Sequence, residues 1–268
     1  MAKNDAGFVG SIPELYDRNV GPLMMVPYAG DIACRLSDMV AGRLLELAAG
    51  TGIVTTALAR ALARTQLIAT DLNQPMLDYA ATKPELRGVE FRQADALSLP
   101  FGDQSFDAVV CQFGVMFFPD RVAAFREAYR VLQPGGQFVF NVWGSVARNP
   151  VVAATLTGLS RRYPQHPSWF LERTPCGYRD LDVIRADLAA GGFSDCRIEE
   201  VTLRGRAASP MSAAIGFCRG SPMRAELEAL EPTGLEAAAV AAAAAIAEQF
   251  GEGAFETELC ALVIETRR

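Results

Sequence analysis

The stretch Leu44-Leu45-Glu46-Leu47-Ala48-Ala49-Gly50-Thr51-Gly52 decides which fold this chain is expected to adopt. Its first half is a short apolar run of the kind that forms a buried strand. Its second half consists of small residues, with two glycines that permit a tight turn, and residues 53–64 then read as a helix. A strand that passes into a helix through such a turn is typical of an α/β sheet.

The alternation of strand and helix continues on both sides of this stretch. The predicted strands are residues 43–47, 67–71, 89–92, 106–111, 137–143, about 196–203 and 258–265. The predicted helices include residues 13–38 with a break near Gly21-Pro22, residues 53–64, a helix that opens at Asn73-Gln74-Pro75, and residues 120–132. This pattern predicts an α/β fold with a Rossmann-like, doubly wound, mostly parallel seven-stranded sheet.

Composition and charge exclude several classes of protein. Half of the 268 residues are hydrophobic, and a net charge of −6 without a long basic run indicates no binding of nucleic acid. The six cysteines form no CxxC pair and His166 is the only histidine, so no metal site is expected. The polar first residues, and an alanine-rich run at 237–247 that is too short to cross a bilayer, predict a cytoplasmic protein without membrane insertion.

Ligands of such sheets bind where the strands end at their carboxyl side. Gly50 and Gly52 follow the first strand there, and their missing side chains let a ligand approach the backbone and the helix N-terminus. Asp71 ends the next strand, a position at which an acidic side chain accepts hydrogen bonds from ribose hydroxyls. A helix cap is the alternative role of Asp71.

The loop also separates two classes of cofactor. A dinucleotide loop has a third glycine, and Thr55 stands at that position. Glu46, just before the loop, is unfavourable beside a diphosphate but suits the ammonium of an amino-acid cofactor, directly or through water. A nicotinamide-dependent oxidoreductase is therefore the alternative among enzymes.

Five ordered motifs make the chain resemble the class I S-adenosylmethionine-dependent methyltransferases, in the methyltransferase type 11 group that includes ubiquinone and menaquinone biosynthesis enzymes. They are Leu44 to Gly52, Asp71-Leu72-Asn73, Gln93-Ala94-Asp95-Ala96, Leu99-Pro100-Phe101 with Ser105-Phe106-Asp107, and Leu132-Gln133-Pro134-Gly135-Gly136. One position departs from the family pattern, since Ala48 stands where the first glycine usually lies. We expect a slightly tighter fit there and retained binding.

The resemblance implies that a set of residues surrounds S-adenosylmethionine. These are Tyr16, Glu46, Ala48, Gly50, Thr51, Gly52, Asp71, Leu72, Met76, Asp95, Ala96, Gln112 and Phe113. Asp71 would hold the ribose diol, and Leu72 and Met76 would sandwich the adenine, unless Met76 is simply helix core. Asp95 would accept from the adenine amine while the Ala96 backbone reads the ring edge.

The N-terminal segment and the end of the fourth strand supply the remaining contacts. Tyr16 is similar to a lid tyrosine that meets the cofactor's carboxylate in related enzymes, and Arg18 would serve the same anion unless it lies on the surface. Gln112 and Phe113 are expected to line the cofactor, where an aromatic face stabilises a cation. Met116 and Phe117 are expected to lie nearer the substrate.

The implied activity is transfer of a methyl group from S-adenosylmethionine to a small, largely hydrophobic molecule. Such a transfer is an in-line displacement, so the protein chiefly aligns the reactants and excludes water. His166 is the one weak candidate for a general base, and a solvent-exposed loop position is its alternative. A methyltransferase fold that binds the cofactor without transferring methyl groups is the alternative function.

We expect one domain over residues 1–268. Residues 1–40 would form a helical lid, residues 41–145 the cofactor-binding half, and residues 146–268 the substrate half. A helical insertion at about 204–254 precedes the last strand.

Three helices are predicted in that insertion. They open at Ser209-Pro210, at Ser221-Pro222 and after Thr233-Gly234. We expect the insertion to cap the active site with an apolar wall supplied by Met211, Ile215, Phe217 and Met223. A homodimer interface or a segment without function is the alternative.

Overall fold

Seven strands form one sheet in the computed structural model, which describes residues 7–8, 10–39 and 41–268. The strands are β1 Gly42–Glu46, β2 Thr65–Asp71, β3 Glu90–Gln93, β4 Phe106–Gln112, β5 Leu132–Trp143, β6 Cys196–Ala207 and β7 Phe255–Arg267. Their order across the sheet is β3-β2-β1-β4-β5-β7-β6. Neighbours are parallel except that β7 runs antiparallel to both β5 and β6. The predicted mostly parallel seven-stranded sheet is confirmed.

The predicted helices are present with ends shifted by a few residues, and the helices between β5 and β6 were not predicted. They are α1 Ile12–Leu15, a π-helix Tyr16–Met25, α2 Val26–Arg35, α3 Ile53–Ala61, α4 Gln74–Ala81, α5 Arg121–Val131, α6 Pro150–Arg162, α7 Phe170–Arg173, α8 Leu181–Ala190, α9 Pro210–Arg219, α10 Met223–Leu230 and α11 Leu235–Phe250. Short 3₁₀ turns occur at Pro84–Leu86, Val115–Phe117 and Val146–Arg148.

Helices cover both faces of the sheet. On one face Ile32 of α2 and Leu58 of α3 pack in a cluster with Leu44 of β1. On the other face Phe125 of α5 and Leu188 of α8 belong to the main core cluster. Because both faces are covered, the central strands are buried and apolar, as a parallel sheet requires. The carboxyl ends of the strands are left as the place where a cavity can form.

The N-terminal segment differs from its prediction. A break was expected near Gly21-Pro22, but the π-helix continues through both residues, and the Val26 amide donates to the carbonyl oxygen of Gly21. Pro22 has no amide hydrogen, so a helical hydrogen bond is missing at this residue in any case. The segment is fastened to the sheet by Tyr28, whose hydroxyl lies 2.7 Å from the carbonyl oxygen of Leu259.

Helices α9, α10 and α11 stand between β6 and β7, as predicted. The Ser209 hydroxyl accepts from the Ser212 amide at 3.1 Å, and the Ser212 hydroxyl accepts from the Ser209 amide at 3.0 Å, so a capping box starts α9. Helix α11 packs closely on α6 at Gly158, where a Cβ atom would lie 2.3 Å from the carbonyl oxygen of Ala241.

The described helices differ in how nearly they reach the length and apolarity of a membrane-spanning helix. Within the described ranges, no helix alone is long and apolar enough to cross a bilayer, and only α10 and α11 together reach that length and composition. The two are bent by 115° at their junction.

All six cysteines have free thiols.

Candidate active site

A cavity lies at the carboxyl ends of β1, β2 and β4. It is partly open to solvent, and its lining comes from the N-terminal helices, from the strand ends and from the segments around α7 and α9. The predicted site residues that line it are Tyr16, Ala48, Gly50, Asp71, Leu72, Met76, Asp95, Ala96, Gln112, Phe113 and Phe117.

The loop after β1 is shaped by three residues in left-handed backbone conformations. Ala48 has φ +52°, Gly50 has φ +57° and Gly52 has φ +79°. The Gly50 amide donates to the Asp71 carboxylate at 2.9 Å, which anchors the loop to the end of β2. The loop thus presents its backbone to the cavity beside an acidic side chain.

Asp71 lies at the junction of this loop with the next one. Its carboxylate also accepts from the Asn73 amide at 2.8 Å. Burial raises the pKa of Asp71, while the hydrogen bonds from Asn73 and Gly50 lower it. The Asn73 side-chain amide donates to the same oxygen, Oδ1, at 3.3 Å. A carboxylate has about four acceptor sites, so these three bonds leave one, on Oδ2, for a hydroxyl donor of a ligand. Helix α4 begins after Asn73, whose side chain makes no capping hydrogen bond to it.

Four further residues form one wall with Asp71. Leu72 is 53% exposed although it is apolar, and Met76 is buried beside Gly50. Asp95 accepts from the Leu97 amide at 2.9 Å, and Ala96 follows it along the same wall. An exposed leucine at a cavity rim is a surface that a flat apolar ring can cover.

Glu46 does not line the cavity. It is 3% exposed, and its carboxylate accepts from the Thr55 hydroxyl at 2.6 Å. Burial raises the pKa of Glu46 to about 8, against the lowering effect of the Thr55 hydrogen bond. The direct contact expected with an ammonium group is therefore missing from this arrangement, and contact through water is the alternative that the sequence left open.

Two more residues of the first motif also lie outside the cavity lining. Thr51 is buried, and its hydroxyl has no hydrogen-bond partner. Gly52 starts α3, and a Cβ atom there would lie 2.7 Å from Leu86 Cδ1. Gly52 therefore also serves the packing of the loop against Leu86, and the cofactor contacts of both residues stay predictions.

The ends of β4 and β5 form the centre of the cavity wall. Gln112 is 8% exposed, and its Nε2 donates to the carbonyl oxygen of Met25 at 3.0 Å. A carbonyl can only accept, so this bond fixes the orientation of the amide and directs Oε1 away from Met25. Oε1 is buried without a partner. The site therefore holds an acceptor that lacks a donor.

Tyr16 reaches the cavity from the π-helix. Its ring packs edge-on against Phe8 with centroids 5.9 Å apart, and Phe8 packs in the same way against Phe117. Burial raises the pKa of Tyr16 above its ordinary value, so the phenol stays neutral and is a hydrogen-bond donor. Arg18 is exposed and does not line the cavity, so the surface alternative describes it.

The part of the lining that follows β4 and β5 and that comes from α6, α7 and α9 and their connections is called the acceptor lobe. Its residues, most of which were not predicted, are Phe117, Phe118, Trp143, Asn149, Val152, Phe170, Leu171, Cys176, Phe217, Ser221 and Pro222. Of the four residues expected from the insertion, Phe217 lines the lobe, whereas Met211, Ile215 and Met223 do not. Phe117 and Phe217 are the two residues of this lobe that the sequence predicted, and the position of Trp143 at the end of a predicted strand is a signal that could have found a third.

Met116 and His166 are placed differently from their predictions. Met116 is fully buried in the core next to Phe117, because the 3₁₀ turn there directs only one of the two side chains to the cavity. His166 does not line the cavity and is not solvent-exposed either: its ring stacks on Trp169, with centroids 4.1 Å apart. Neither residue is retained as a substrate contact or base.

Metal ligation has no support in the part of the chain that the structure describes. No group of three or more His, Cys, Asp or Glu side chains there is arranged to hold a metal ion.

Comparisons with known proteins show which family this chain resembles. A family model described as a methyltransferase domain matches residues 45–140. The demethylmenaquinone methyltransferase of Lactobacillus johnsonii is 40% identical over 175 residues, which cover 59% of this chain and 70% of that protein. The enzyme of the same name from Thermus thermophilus is 46% identical over 99 residues, which cover 36% of this chain and 45% of that protein. The chain thus spans less than half the length of this second relative.

A solved structure shows the same fold. Phosphoethanolamine N-methyltransferase 2 of Haemonchus contortus, in complex with S-adenosyl-L-methionine, matches with a TM-score of 0.61 and 17% identity. The match covers 96% of this chain and 56% of that one.

Sheet order, glycine loop and the acidic end of β2 together define an α/β enzyme that holds a nucleoside cofactor at the carboxyl edge of its sheet. With the similarity to the Lactobacillus johnsonii enzyme, the assignment becomes specific: the chain belongs to the class I S-adenosylmethionine-dependent methyltransferases. S-adenosylmethionine is the cofactor of this family, and the unpartnered Gln112 acceptor, the Gly50 loop and Asp71 fit it.

Proposed function

We propose that this protein transfers the methyl group of S-adenosylmethionine to an apolar aromatic molecule of the hydroquinone class. The observation that carries this proposal is the acceptor lobe, whose walls are aromatic and aliphatic side chains such as Phe117, Phe170 and Trp143. The Lactobacillus johnsonii and Thermus thermophilus relatives, which are named for demethylmenaquinone, support the same class of acceptor.

The cofactor side of the cavity supplies the binding groups. When bound, S-adenosylmethionine supplies an electrophilic methyl group. Asp71 would accept from a ribose hydroxyl, and Leu72 and Met76 would contact the adenine from the cavity wall. Asp95 would accept from the adenine amine beside the backbone of Ala96.

The amino-acid end of the cofactor would meet neutral polar groups. The free Oε1 of Gln112 suits an ammonium donor, and the Tyr16 hydroxyl suits a carboxylate. Phe113 would present an aromatic face near the sulfonium, where it would stabilise positive charge. These groups would hold the cofactor in the cavity beside the acceptor lobe.

The polar groups of the acceptor lobe are already engaged. Asn149 Nδ2 donates to the Cys260 carbonyl oxygen at 3.2 Å while its Oδ1 accepts from the Cys260 amide at 3.0 Å. The Ser221 hydroxyl donates to the Phe217 carbonyl oxygen at 2.6 Å. Burial raises the pKa of the Cys176 thiol to about 12. None of the three is therefore available to remove a proton from an acceptor near neutral pH.

An acceptor that needs no protein base follows from this arrangement. A hydroquinone ring is electron-rich at the carbons next to its oxygens, and it attacks an electrophilic methyl without prior deprotonation by a side chain. The new carbon–carbon bond forms as the carbon–sulfur bond breaks, and the ring proton then passes to solvent. The protein's contribution is to align the ring and exclude water.

Incubation of the protein with S-adenosylmethionine carrying a labelled methyl group tests the proposal. The acceptors are a short-chain 2-prenyl-1,4-naphthohydroquinone kept under anaerobic conditions and, as a polar control, phosphoethanolamine. We expect label on a ring carbon of the naphthohydroquinone and none on phosphoethanolamine. Methylation of the amine alone, or consumption of cofactor without labelled product, would contradict the proposal.

A further inference from the structure

A buried carboxylate outside the cavity gathers groups that the proposed reaction does not use. Glu226 of α10 has a side chain that is 13% exposed. It accepts from the Phe170 amide at 2.9 Å and from the Arg173 guanidinium at 2.6 Å, and it lies 3.3 Å from His166 Nε2. These four residues are called the Glu226 cluster.

The cluster joins two segments that supply the acceptor lobe. Phe170 lines the lobe from α7, and Ser221 and Pro222 line it immediately before α10. Glu226 bonds the backbone of Phe170 itself, so it fixes where this ring stands relative to α10. The ring faces Phe117, with centroids 6.2 Å apart and planes 28° apart.

His166 belongs to the support of this wall. Its Nδ1 is buried without a partner, while Nε2 faces the Glu226 carboxylate. The ring stacks on Trp169, whose Nε1 donates to the Ser160 hydroxyl of α6 at 3.0 Å. The Glu226 cluster is thereby connected to a third helix.

Other ion pairs of the same region have a different character. The Arg224–Glu228 pair on α10 and the Arg162–Glu231 pair have side chains that are roughly one third exposed. Exposed pairs of this kind contribute little to stability. Glu226 differs because it is more buried and because it bonds the backbone of a residue that lines the lobe.

We propose that Glu226 is a positioning residue for the methyl acceptor. Through Phe170 and Arg173 it holds the aromatic wall against which the acceptor lies, and it does so without contact to the cofactor side of the cavity. This inference rests on the proposed function only for the identity of the acceptor, since the wall and its support are independent of it.

Variants Glu226→Gln and Glu226→Ala test this inference, with Glu228→Gln as a matched control on the same helix. Loss of a charge-assisted bond predicts that the KM for 2-prenyl-1,4-naphthohydroquinone rises about tenfold or more in both Glu226 variants. We expect kcat to change less than about threefold and the Kd of S-adenosylhomocysteine, measured by calorimetry, to stay within about twofold. Glu228→Gln should match the wild type in all three quantities.

A second measurement separates this inference from the proposed function. If the wild type does not methylate the naphthohydroquinone, the proposed function fails, and the lobe is then tested with the neutral fluorophore N-phenyl-1-naphthylamine in the presence of S-adenosylhomocysteine. We expect the fluorophore to bind the wild type and Glu228→Gln alike, and both Glu226 variants about five- to tenfold more weakly. Equal binding by all four proteins, no binding by the wild type, or an equal loss of S-adenosylhomocysteine affinity in Glu226→Gln would each overturn the inference.

Discussion

The ring of Phe113 lies flat against the indole of Trp143, with 3.6 Å between their centroids and 5° between their planes. The stack joins the residue after β4 to the last residue of β5. Phe113 has φ +51°, a conformation that a bulky side chain rarely adopts. Its amide donates to Asn141 Oδ1 at 2.9 Å. The centre of the cavity wall thus depends on a strained residue that its neighbours hold in place.

Replacement of Trp143 should weaken both the fold and the cofactor site. Trp143→Leu removes the partner of Phe113, and we expect the free energy of unfolding to fall by about 2–3 kcal/mol, measured with urea. Cofactor affinity should fall as well, because Phe113 lines that part of the cavity. Trp169→Leu is the matched control, since Trp169 is also buried but stacks on His166 and does not line the cavity. Equal loss of cofactor affinity in both variants would count against a specific role of the stack.

The carboxylate of Asp71 should dominate cofactor affinity. Asp71→Ala removes the acceptor for a ribose hydroxyl and for the Gly50 amide, so we expect a loss of about 1.5–3 kcal/mol for each strong bond lost. Calorimetric titration with S-adenosylmethionine measures it. Asp78→Ala, on the exposed side of α4 where Asp78 bonds Gln74, should leave the affinity unchanged. A folded Asp71→Ala protein with wild-type affinity would remove Asp71 from the site.

Glu46 should make the unfolding free energy depend on pH. Its pKa is about 8 in the folded protein and its ordinary value is 4.5, so the folded state binds more protons between these values. The contribution of the Glu46 proton to the free energy of unfolding is fully present below pH 4.5 and is lost as pH rises through about 8. Glu46→Gln keeps an acceptor for Thr55 without the charge. Urea titrations at several pH values should show that the free energy of unfolding of Glu46→Gln rises relative to that of the wild type as pH rises, by a few kcal/mol at most. If the free energies of unfolding of the two proteins depended on pH in the same way, a raised pKa of the buried Glu46 carboxylate would be contradicted.

Ala48 and Gly114 should behave as a coupled pair. A Cβ atom on Gly114 would lie 2.6 Å from the Cβ of Ala48 and 2.7 Å from the Sγ of Cys111. Gly114→Ala should therefore lower the free energy of unfolding by about 1–3 kcal/mol. Ala48→Gly removes one collision and the left-handed strain, so the double variant should recover part of the loss. A double variant whose loss equals the sum of the single losses would show that Cys111 alone accounts for the collision.

The segment that carries α9 to α11 should be dispensable for cofactor binding and necessary for turnover. We expect a protein with residues 208–250 replaced by a short Gly/Ser linker to bind S-adenosylmethionine as before and to lose turnover or acceptor selectivity, because Phe217, Ser221 and Pro222 line the acceptor lobe. Circular dichroism would first confirm that the product is folded. Full activity in a folded monomeric product would rule out a cap.

The strands and the loop after β1 were predictable because their signals are local. The apolar run 44–47, the glycines that follow it and the acidic end of β2 each reflect the chemistry of a few adjacent residues. The doubly wound, mostly parallel sheet followed from the alternation of strands and helices. The limits of β6 and β7 were set too short, since antiparallel pairing extends from Cys196 opposite Thr266 to Ala207 opposite Phe255.

The acceptor lobe was not predictable in the same way. Phe170 and Cys176 reach it from a segment without periodicity, and only tertiary packing decides that they face the cavity while His166 does not. The π-helix was missed because its hydrogen bonds have a spacing that α-helical periodicity does not reveal. At Glu46, the chemistry of the residue alone predicted a contact with a cation. In the structure its carboxylate instead accepts a hydrogen bond from Thr55 inside the protein.

The segment 208–254 leaves the sheet at Ala207 and returns to it at Phe255, and these two residues are paired across adjacent strands. Its ends are therefore held side by side by the sheet itself, whatever lies between them. Insertions of different length or sequence can begin and end at this pair without disturbing the strands. Exchange of this segment between the two fixed ends would therefore replace Phe217, Ser221 and Pro222 of the cavity lining while leaving the glycine loop and Asp71 unchanged.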